Sequence, residues 1–259
     1  MSTALDALSS IRAFNRFELK YVIGRDQIEA VLDDMSERLF VDPHAAAGSY
    51  PVWSLYYDTP DRQFYREKID GVRFRRKLRI RHYGNPESLQ EDTTVFVEIK
   101  QRVKRVTQKR RIAVPYRDAL ALCNSHIGLE VGEPGDQRVV DEVVMLVGGL
   151  DLEPSAITGY QRLAMLGADT DSGLRVTFDT YLRGRTTDLE LHSTVPTQPI
   201  LDPAMAIVEV KVNERVPYWV TEKVARHNMQ LIRISKYCTS VEGVAPPGLR
   251  LRAEAVSYT

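Results

Sequence analysis

Basic residues occupy every second position of one segment near residue 80, an arrangement suited to binding phosphate groups. Because alternate residues of a β-strand point to the same side, these side chains would form one cationic face. Arginine binds phosphate oxygens in pairs and lysine supplies a compact charge, although an ordinary half-buried sheet also exposes charged residues to water. The basic positions are Arg73, Arg75, Lys77, Arg79 and Arg81.

A Glu-x-Lys unit recurs in three other strand-like segments. The charged faces of several strand-like segments hold mainly Lys and Arg, while the acids that balance the total lie largely in predicted helices and loops. The recurrence favours a shared role for these faces over an ordinary solvated surface. The three units are Glu18 with Lys20, Glu98 with Lys100, and Glu209 with Lys211.

The chain as a whole has no net charge, since its 259 residues include 35 Lys and Arg and 35 Asp and Glu. A polyanion would therefore have to be held by a local arrangement of cations. The two cysteines, Cys123 and Cys238, are far apart, which fits a reducing compartment. No signal peptide is visible, and the apolar segment "VVDEVVMLVGGL" is too short to cross a membrane. These features predict a cytoplasmic protein.

Eight segments have the composition and alternation of strands, without a regular alternation of strands and helices. They predict an α+β fold with a largely antiparallel eight-stranded sheet or closed barrel, flanked by helices. We expect a single domain over residues 1–259, with a core from about 14 to 243 and a flexible C-terminal tail. The segments are 16–23, 52–58, 71–83, 94–103, 106–114, 156–165, 174–184 and 205–213.

Apolar residues at helical spacing predict helices over 26–39, 141–150 and 217–230, with a further short helix within 115–130. The strands offer an apolar face to receive these helices. If the sheet closes with that face outward, its cationic face must line the interior. Enclosed cations repel one another and are costly to desolvate, so the lining is stable only around water, carboxylates and a polyanion. The pattern predicts a tunnel for a chain of phosphates.

Eight motifs follow one another along residues 16–237: "FELKY", "SLYYDTPD", "KLRIRHYG", "VEIKQR", "GYQR", "LRVTFD", "VEVK" and "RISKY". Together they resemble the VTC-type polyphosphate polymerase domain of the triphosphate tunnel metalloenzyme (CYTH-like) superfamily. The resemblance implies an eight-stranded antiparallel tunnel barrel with a charged interior. It also implies an enzyme that moves the γ-phosphoryl group of ATP onto inorganic polyphosphate with Mn²⁺ or Mg²⁺.

The resemblance also implies roles for individual residues, motif by motif. Glu209 would hold the metal, and Glu18 would be either a minor metal ligand or a salt-bridge partner. The residues implied at the reacting phosphate are Lys20, Arg79, Arg81 and Lys236. Those implied to hold other phosphates are Lys100, Lys109, Arg162, Arg175, Lys211, Arg233 and Ser235. Those implied at the tunnel mouth, where they would guide a polyanion, are Arg73, Arg75 and Lys77.

One departure concerns the Glu-x-Glu-x-Lys run of the wider superfamily, which here reads Arg16-x-Glu18-x-Lys20. The missing acid weakens the case for a second metal and favours a polymerase over a hydrolase. Asp179 is a candidate second metal contact, with a salt bridge to a tunnel arginine the preferred interpretation. Asp58 of "YYDTPD" is interpreted as a turn former.

Two further functions are left open: hydrolysis of triphosphate or polyphosphate, and non-catalytic binding of RNA or inositol polyphosphate. Nucleic acid is disfavoured as a partner, because single-strand binders place aromatic platforms on their basic face. Here only Tyr83 shares that face in the 73–83 segment, with Phe96 beside Lys100. The acid of "VEVK" favours a metal enzyme. The sequence leaves a membrane partner and the oligomeric state open.

Overall fold

The computed structural model describes residues 17–45, 48–103, 106–168, 171, 173–213 and 215–243. The predictions about Arg16 and about the C-terminal tail concern residues outside these ranges. The described residues fall into two compact units. Unit 1 comprises Trp53–Ile157 and Thr186–Val195, and unit 2 comprises residues 17–52, Thr158–Arg185 and 196–243. A single domain over the whole chain stays a prediction.

The described part of the chain contains eleven strands and six α-helices. The strands are β1 (Phe17–Gly24), β2 (Leu39–Val41), β3 (Tyr50–Asp58), β4 (Phe74–Tyr83), β5 (Thr94–Val103), β6 (Val106–Pro115), β7 (Glu153–Gly167), β8 (Arg175–Arg185), β9 (Gln198–Pro199), β10 (Met205–Val212) and β11 (Gln230–Leu231). The helices are α1 (Ile28–Met35), α2 (Gln63–Ile69), α3 (Tyr116–Asn124), α4 (Pro134–Leu150), α5 (Tyr218–Arg226) and α6 (Lys236–Glu242).

The sheet is mostly antiparallel, as the sequence predicts. In unit 2 the strand order is β11-β1-β10-β8-β7, with β2 beside β7 and β9 beside β8. In unit 1 the order is β3-β4-β5-β6. The closed eight-stranded barrel is not confirmed, because eleven strands are described and their pairings do not close the sheet.

In unit 1 the apolar face of the sheet packs against helices, which confirms the prediction that helices cover this face. Ile80 and Ile99 of the sheet are fully buried in one cluster with Val140, Val143 and Val147 of α4. Pro134 begins α4, where its missing N–H is harmless, and Asp151 ends the helix with a left-handed φ of 51°. Burial of each such side chain contributes about 1.5–3 kcal/mol to the stability of the fold. The apolar face therefore forms the core of unit 1, and the charged residues lie on the opposite face.

In unit 2 an equivalent apolar layer joins β8 and β10 to α1 and α5. Val176 and Val208 of the strands share a buried cluster with Val31 and Met35 of α1 and Val220 of α5. The intervening residues include Arg175, Thr177 and Asp179 in β8 and Glu209 and Lys211 in β10, whereas Ile207 of β10 is apolar and buried. The alternation predicted from sequence is therefore present in both units.

Several boundaries differ from the predicted ones. Because β4 begins at Phe74, Arg73 precedes the strand, and its assignment to the cationic strand face is wrong. Helices α2 and α6 were not predicted, since each has only seven residues and lacks a long apolar period. Among the helices described, none has both the length and the apolar composition that a membrane crossing requires.

Candidate functional site

Three neighbouring strands of unit 2 bring charged residues from distant parts of the sequence into adjacent rows. Lys20 of β1 lies opposite Glu209 of β10, which lies opposite Thr177 of β8. Directly opposed residues of antiparallel strands share one face and lie close together. In the next row the opposed residues are Glu18, Lys211 and Arg175.

Glu209 is the centre of this cluster in unit 2. Its carboxylate is buried, and burial alone would favour the neutral acid. Four surrounding cations nevertheless hold the pKa of Glu209 well below its usual range. Their nitrogens lie close to the carboxylate oxygens, at 2.6 Å for Lys211, 3.0 Å for Lys236, 3.4 Å for Lys20 and 3.5 Å for Arg162.

Asp179 is a second buried carboxylate, next to Glu209 in the cluster. Arg162 donates to both of its oxygens, at 2.6 and 2.7 Å, and Lys236 donates at 2.6 Å. Burial opposes ionisation, but Arg162 and Lys236 lower the pKa of Asp179. The salt bridge to an arginine that was preferred for Asp179 is therefore present.

Lys236 reaches the cluster because it is the first residue of α6. The Ser235 hydroxyl caps this helix by accepting from the N–H of Cys238 at 3.3 Å. The ammonium of Lys20 donates to the carbonyl of Ile234 at 3.3 Å, which ties β1 to the same segment. Burial disfavours the charged form of Lys236, yet Asp179 and Glu209 raise its pKa.

Tyr160 is a member of the cluster that the sequence reasoning missed. The ammonium of Lys236 lies 4.6 Å from its ring centroid, and the guanidinium of Arg162 lies 5.1 Å away. The available signal was its position in "GYQR", two residues before Arg162 and therefore on the same strand face.

Lys211 and Lys20 differ in their charge balance although both contact Glu209. Burial and Arg162 lower the pKa of Lys211 to about 8, against the opposing effect of Glu209. Burial alone would also lower the pKa of Lys20, but Glu209 and Glu18 together raise it. Glu18 contacts Lys20 at 3.2 Å, in agreement with the predicted salt-bridge alternative.

Two predicted phosphate-binding residues of unit 2 lie outside the Glu209 cluster. Arg175 donates to Asp42 at 2.8 Å. Arg233 is exposed on the segment between β11 and α6. The structure therefore brings together Lys20, Arg162, Glu209, Lys211 and Lys236, while Arg175 lies in the next row and Arg233 is exposed.

Unit 1 contains a separate cluster, centred on Glu98. Its side chain is only 1% exposed and contacts Arg79 at 2.7 Å, Arg81 at 3.7 Å and Lys109. Burial raises the pKa of a carboxyl, but these three cations hold the pKa of Glu98 well below its usual range. The sequence reasoning noted Glu98 only as part of a Glu-x-Lys unit.

Tyr56 is a second residue of this cluster that sequence reasoning missed. Nη1 of Arg79 donates to its hydroxyl at 2.9 Å, and the guanidinium lies 5.6 Å from the ring centroid. Burial alone would raise the pKa of Tyr56, but Arg79, Arg81 and Lys77 lower it to about 7. Tyr56 belongs to "YYDTPD", the motif that sequence analysis interpreted as a strand end and turn.

That interpretation holds for Asp58. Its carboxylate accepts from the backbone N–H groups of Thr59, Phe64 and Tyr65 at 2.8–2.9 Å. These bonds fix the turn after β3 and the first turn of α2. The carboxylate thus holds the strand end and the helix start together through backbone hydrogen bonds.

The predicted phosphate-binding lysines of unit 1, Lys100 and Lys109, lie in one row with Lys77, which was predicted at the tunnel mouth. Lys77 of β4 is opposite Lys100 of β5, which is opposite Lys109 of β6. Lysines this close repel one another unless anions lie between them. Partial burial, Arg79 and Arg81 all lower the pKa of Lys109, although its 42% exposed side chain also contacts Glu98.

The metal-ligating side chains of the structure can be compared with those that Mn²⁺ or Mg²⁺ requires. In the part of the chain that is described, no group of three or more His, Cys, Asp or Glu residues is arranged to hold a metal ion. Magnesium and manganese nevertheless bind through one or two carboxylates together with substrate phosphates. Glu209 fits that mode as a single ligand, provided that Lys211 moves to a phosphate oxygen.

Comparisons with known proteins agree with the motif resemblance. The model of the VTC domain family matches residues 15–245. The "Vacuolar transporter chaperone complex subunit 4" of Trypanosoma brucei brucei is 24% identical over 274 residues, which cover 89% of this chain and 34% of that protein. The protein of the same name from Trypanosoma cruzi is 25% identical over 223 residues, covering 74% and 28%. This chain thus spans about a third of the length of these relatives.

Among solved structures, a Bacillus halodurans protein described as a candidate adenylate cyclase matches with a TM-score of 0.50. It is 12% identical and covers 84% of this chain and 92% of its own. At this identity the match concerns the fold alone.

Proposed function

This chain belongs to the VTC domain family, and we propose on that basis that it transfers the γ-phosphoryl group of ATP onto inorganic polyphosphate. The observation that carries the proposal is the buried Glu209 carboxylate among Lys20, Arg162, Lys211 and Lys236. Counted together with Asp179 and Glu18, the four cations exceed the three carboxylates of the cluster by one positive charge. Phosphate oxygens supply the charge that balances it.

The transfer itself needs little covalent chemistry from the protein. A terminal oxygen of the polyphosphate attacks the γ-phosphorus, the bond from that phosphorus to the β,γ-bridging oxygen breaks, and ADP leaves. The attacking oxygen is already ionised, so no residue has to remove a proton. The protein's task is to align the two reactants and to stabilise charge on the non-bridging oxygens.

Lys236 and Arg162 are suited to stabilise this charge. Asp179 holds both side chains by short hydrogen bonds, so their orientation is fixed before a substrate binds. Preorganised donors of this kind contribute more than donors that must reorient, and loss of one typically costs about a hundredfold in rate. The charged form of Lys211 is less stabilised by its surroundings. This lysine is therefore suited to leave Glu209 and contact the transferred phosphoryl group.

Unit 1 offers a second set of phosphate-binding groups. Glu98 orients the guanidinium of Arg79, and Ser54 accepts from Arg81 at 3.2 Å. Arginines fixed in this way bind phosphate oxygens bidentately. Lys100 and Lys109 extend the set along the sheet.

Mn²⁺ or Mg²⁺ at Glu209 would neutralise charge on the phosphate oxygens. Lys211, which now contacts Glu209 at 2.6 Å, would then turn to the phosphates. We propose Glu18 as a salt-bridge partner of Lys20 and not as a principal ligand, since its carboxylate already contacts that ammonium.

The relatives are named as subunits of a complex. We therefore also propose that the chain acts with protein partners, and that ATP and polyphosphate are its small-molecule partners. A cytoplasmic location stays a prediction.

One experiment separates transfer from the two alternatives. Purified protein is incubated with ATP and Mn²⁺, the products are resolved by gel, and free phosphate and ADP are assayed. A polyphosphate ladder with ADP supports transfer. Free phosphate without a ladder would show a hydrolase, and unchanged ATP with tight polyanion binding would show a binding module.

A further inference from the structure

Two consecutive tyrosines of β3 in unit 1 have opposite surroundings. Tyr57 is 1% exposed in the apolar cluster, and its hydroxyl donates to Asn124 of α3 at 2.6 Å. Neighbouring side chains of a strand point to opposite faces, so Tyr56 points to the charged face. There its hydroxyl accepts from Nη1 of Arg79 at 2.9 Å. Tyr57 thus completes a core, whereas Tyr56 meets a cation.

The cations around Tyr56 make its hydroxyl far more acidic than that of Tyr57. Burial alone would raise the pKa of Tyr56, but Arg79, Arg81 and Lys77 lower it to about 7. Burial in the apolar cluster raises the pKa of Tyr57 well above its usual range. About half of the Tyr56 side chains are therefore ionised at neutral pH, and a phenolate is a better nucleophile than a phenol.

The guanidinium that contacts Tyr56 is also one of those proposed to bind substrate phosphate. Glu98 accepts from Nε of Arg79 at 2.7 Å, which fixes the orientation of the group beside the tyrosine. The Arg79 side chain is 18% exposed, so a ligand can reach it. A phosphate that accepts from Arg79 therefore lies next to the hydroxyl that accepts from the same guanidinium.

We propose that Tyr56 accepts the γ-phosphoryl group of ATP when no polyphosphate acceptor is present, an inference that rests on the proposed function. The phenolate oxygen attacks the γ-phosphorus, the bond from that phosphorus to the β,γ-bridging oxygen breaks, and ADP leaves. The product is an O-phosphotyrosine. The phenol proton passes to water before the attack, so no residue has to act as a base.

The phosphorylated side chain would occupy the cations that surround it. A phosphoryl group on tyrosine carries about two negative charges and accepts strong hydrogen bonds from arginine. Attached to Tyr56, it stays beside Arg79 and competes with the phosphates of a substrate. The modification therefore converts the protein into a form that binds polyphosphate more weakly when ATP is present without an acceptor.

Ser54 is the rival acceptor in this cluster, because its hydroxyl accepts from Arg81 at 3.2 Å. An alkyl hydroxyl stays protonated at neutral pH and needs a general base. Glu98 is poorly suited to that role, since the surrounding cations hold its pKa well below its usual range. The ionised hydroxyl of Tyr56 needs no such help.

The test incubates purified protein with ATP and Mn²⁺ in the absence of polyphosphate. Mass spectrometry, with fragmentation that separates Tyr56 from Tyr57, should find one phosphoryl group on Tyr56, and added polyphosphate should suppress it. Treatment should lower the affinity for tripolyphosphate, measured by calorimetry after the nucleotide is removed, by about tenfold, as expected when one charge-assisted hydrogen bond is lost.

Tyr56→Phe should remain unmodified, and treatment should not change its affinity. The control is Tyr83→Phe, since Tyr83 also lies near Arg81, at 5.9 Å from ring centroid to guanidinium, but is 40% exposed. This variant should keep both the modification and the loss of affinity.

An unmodified Tyr56 in a preparation that forms the polyphosphate ladder would overturn the acceptor role and leave phosphoryl transfer standing. A phosphoryl group on Ser54 or Tyr57 alone would overturn it as well, as would a modification that persists in Arg79→Ala. Modified Tyr56 without a ladder would support the acceptor role and refute polyphosphate formation. Neither modification nor ladder would refute both proposals.

Discussion

Arg79 and Glu98 lie directly opposite each other on β4 and β5, and Nε of the arginine donates to Oε2 of the carboxylate at 2.7 Å. Arg81 and Lys109 approach the same carboxylate. One buried acid therefore holds three cations that would otherwise repel one another. Under the proposed function, bound phosphates would add negative charge to the same three cations.

We predict that Glu98→Gln destabilises the protein and makes its stability depend on added phosphate. Removing one partner of a buried ion pair leaves uncompensated charge and costs about 3 kcal/mol, which lowers the thermal midpoint by about 6–12 °C. Tripolyphosphate should restore more stability to the variant than it adds to the wild type. Thermal unfolding followed by circular dichroism, with and without tripolyphosphate, measures both effects.

The matched control is Glu142→Gln on α4, where the acid pairs with Arg110 and is partly exposed. It should lose less stability and gain no extra benefit from tripolyphosphate. Equal behaviour of the two variants would contradict the role assigned to Glu98.

We predict that Glu209→Gln abolishes ladder formation while the protein stays folded. The amide has the shape of the carboxylate but lacks its charge, so it cannot hold a hard cation or orient Lys211 and Lys236 equally well. The rate should fall by about a hundredfold or more. Activity is measured by gel at several Mn²⁺ concentrations, and folding by circular dichroism. Arg79→Ala should likewise be inactive, and a fully active form of either variant would refute the site assignment.

The faces of the strands could be predicted because alternation is a local property. Lys20 and Lys211 lie between apolar neighbours and Lys100 follows Ile99, and the structure places all three on the charged face. The register between strands could not be predicted, because it depends on turn lengths and pairing partners far apart in sequence. This is why the row of Lys77, Lys100 and Lys109 became visible only in the structure.

The contributions of Tyr56 and Tyr160 were missed for a related reason. A tyrosine in a strand ordinarily packs in a core, and only its neighbours show whether its hydroxyl or ring meets a cation. Tyr56 meets Arg79, and Tyr160 meets Arg162 and Lys236. The seven-residue helix α6, which positions Lys236, gave no periodic signal of its own.

We predict that polyphosphate binding takes up protons near pH 8. Lys211 has a pKa of about 8 in the free protein, and bound phosphates would raise it. A lysine that is about half neutral before binding and charged afterwards takes up about half a proton. Affinity should therefore fall as the pH rises from 7 to about 9. Calorimetry in buffers of different protonation enthalpy counts the protons.

Lys211→Arg should remove the half proton that Lys211 takes up on binding, because arginine stays charged between pH 7 and about 9. Lys223→Arg, the same replacement at the ion pair between α1 and α5, serves as the control. Unchanged proton uptake in Lys211→Arg would mean that Lys211 does not face the phosphates.

We predict that affinity for long-chain polyphosphate falls steeply with salt concentration. Each phosphate contact by Lys or Arg releases bound counterions, with a slope of about −0.7 per contact for flexible single strands. Simultaneous contacts with Lys100, Lys109 and Arg79 would give a slope of about −2 or steeper. Lys100→Gln should make the slope shallower by about 0.7. The control Arg138→Gln, which removes an exposed charge from α4, should leave the slope unchanged. Affinities measured by calorimetry over a series of salt concentrations give these slopes, and a flat response in the wild type would contradict phosphate binding by these strand faces.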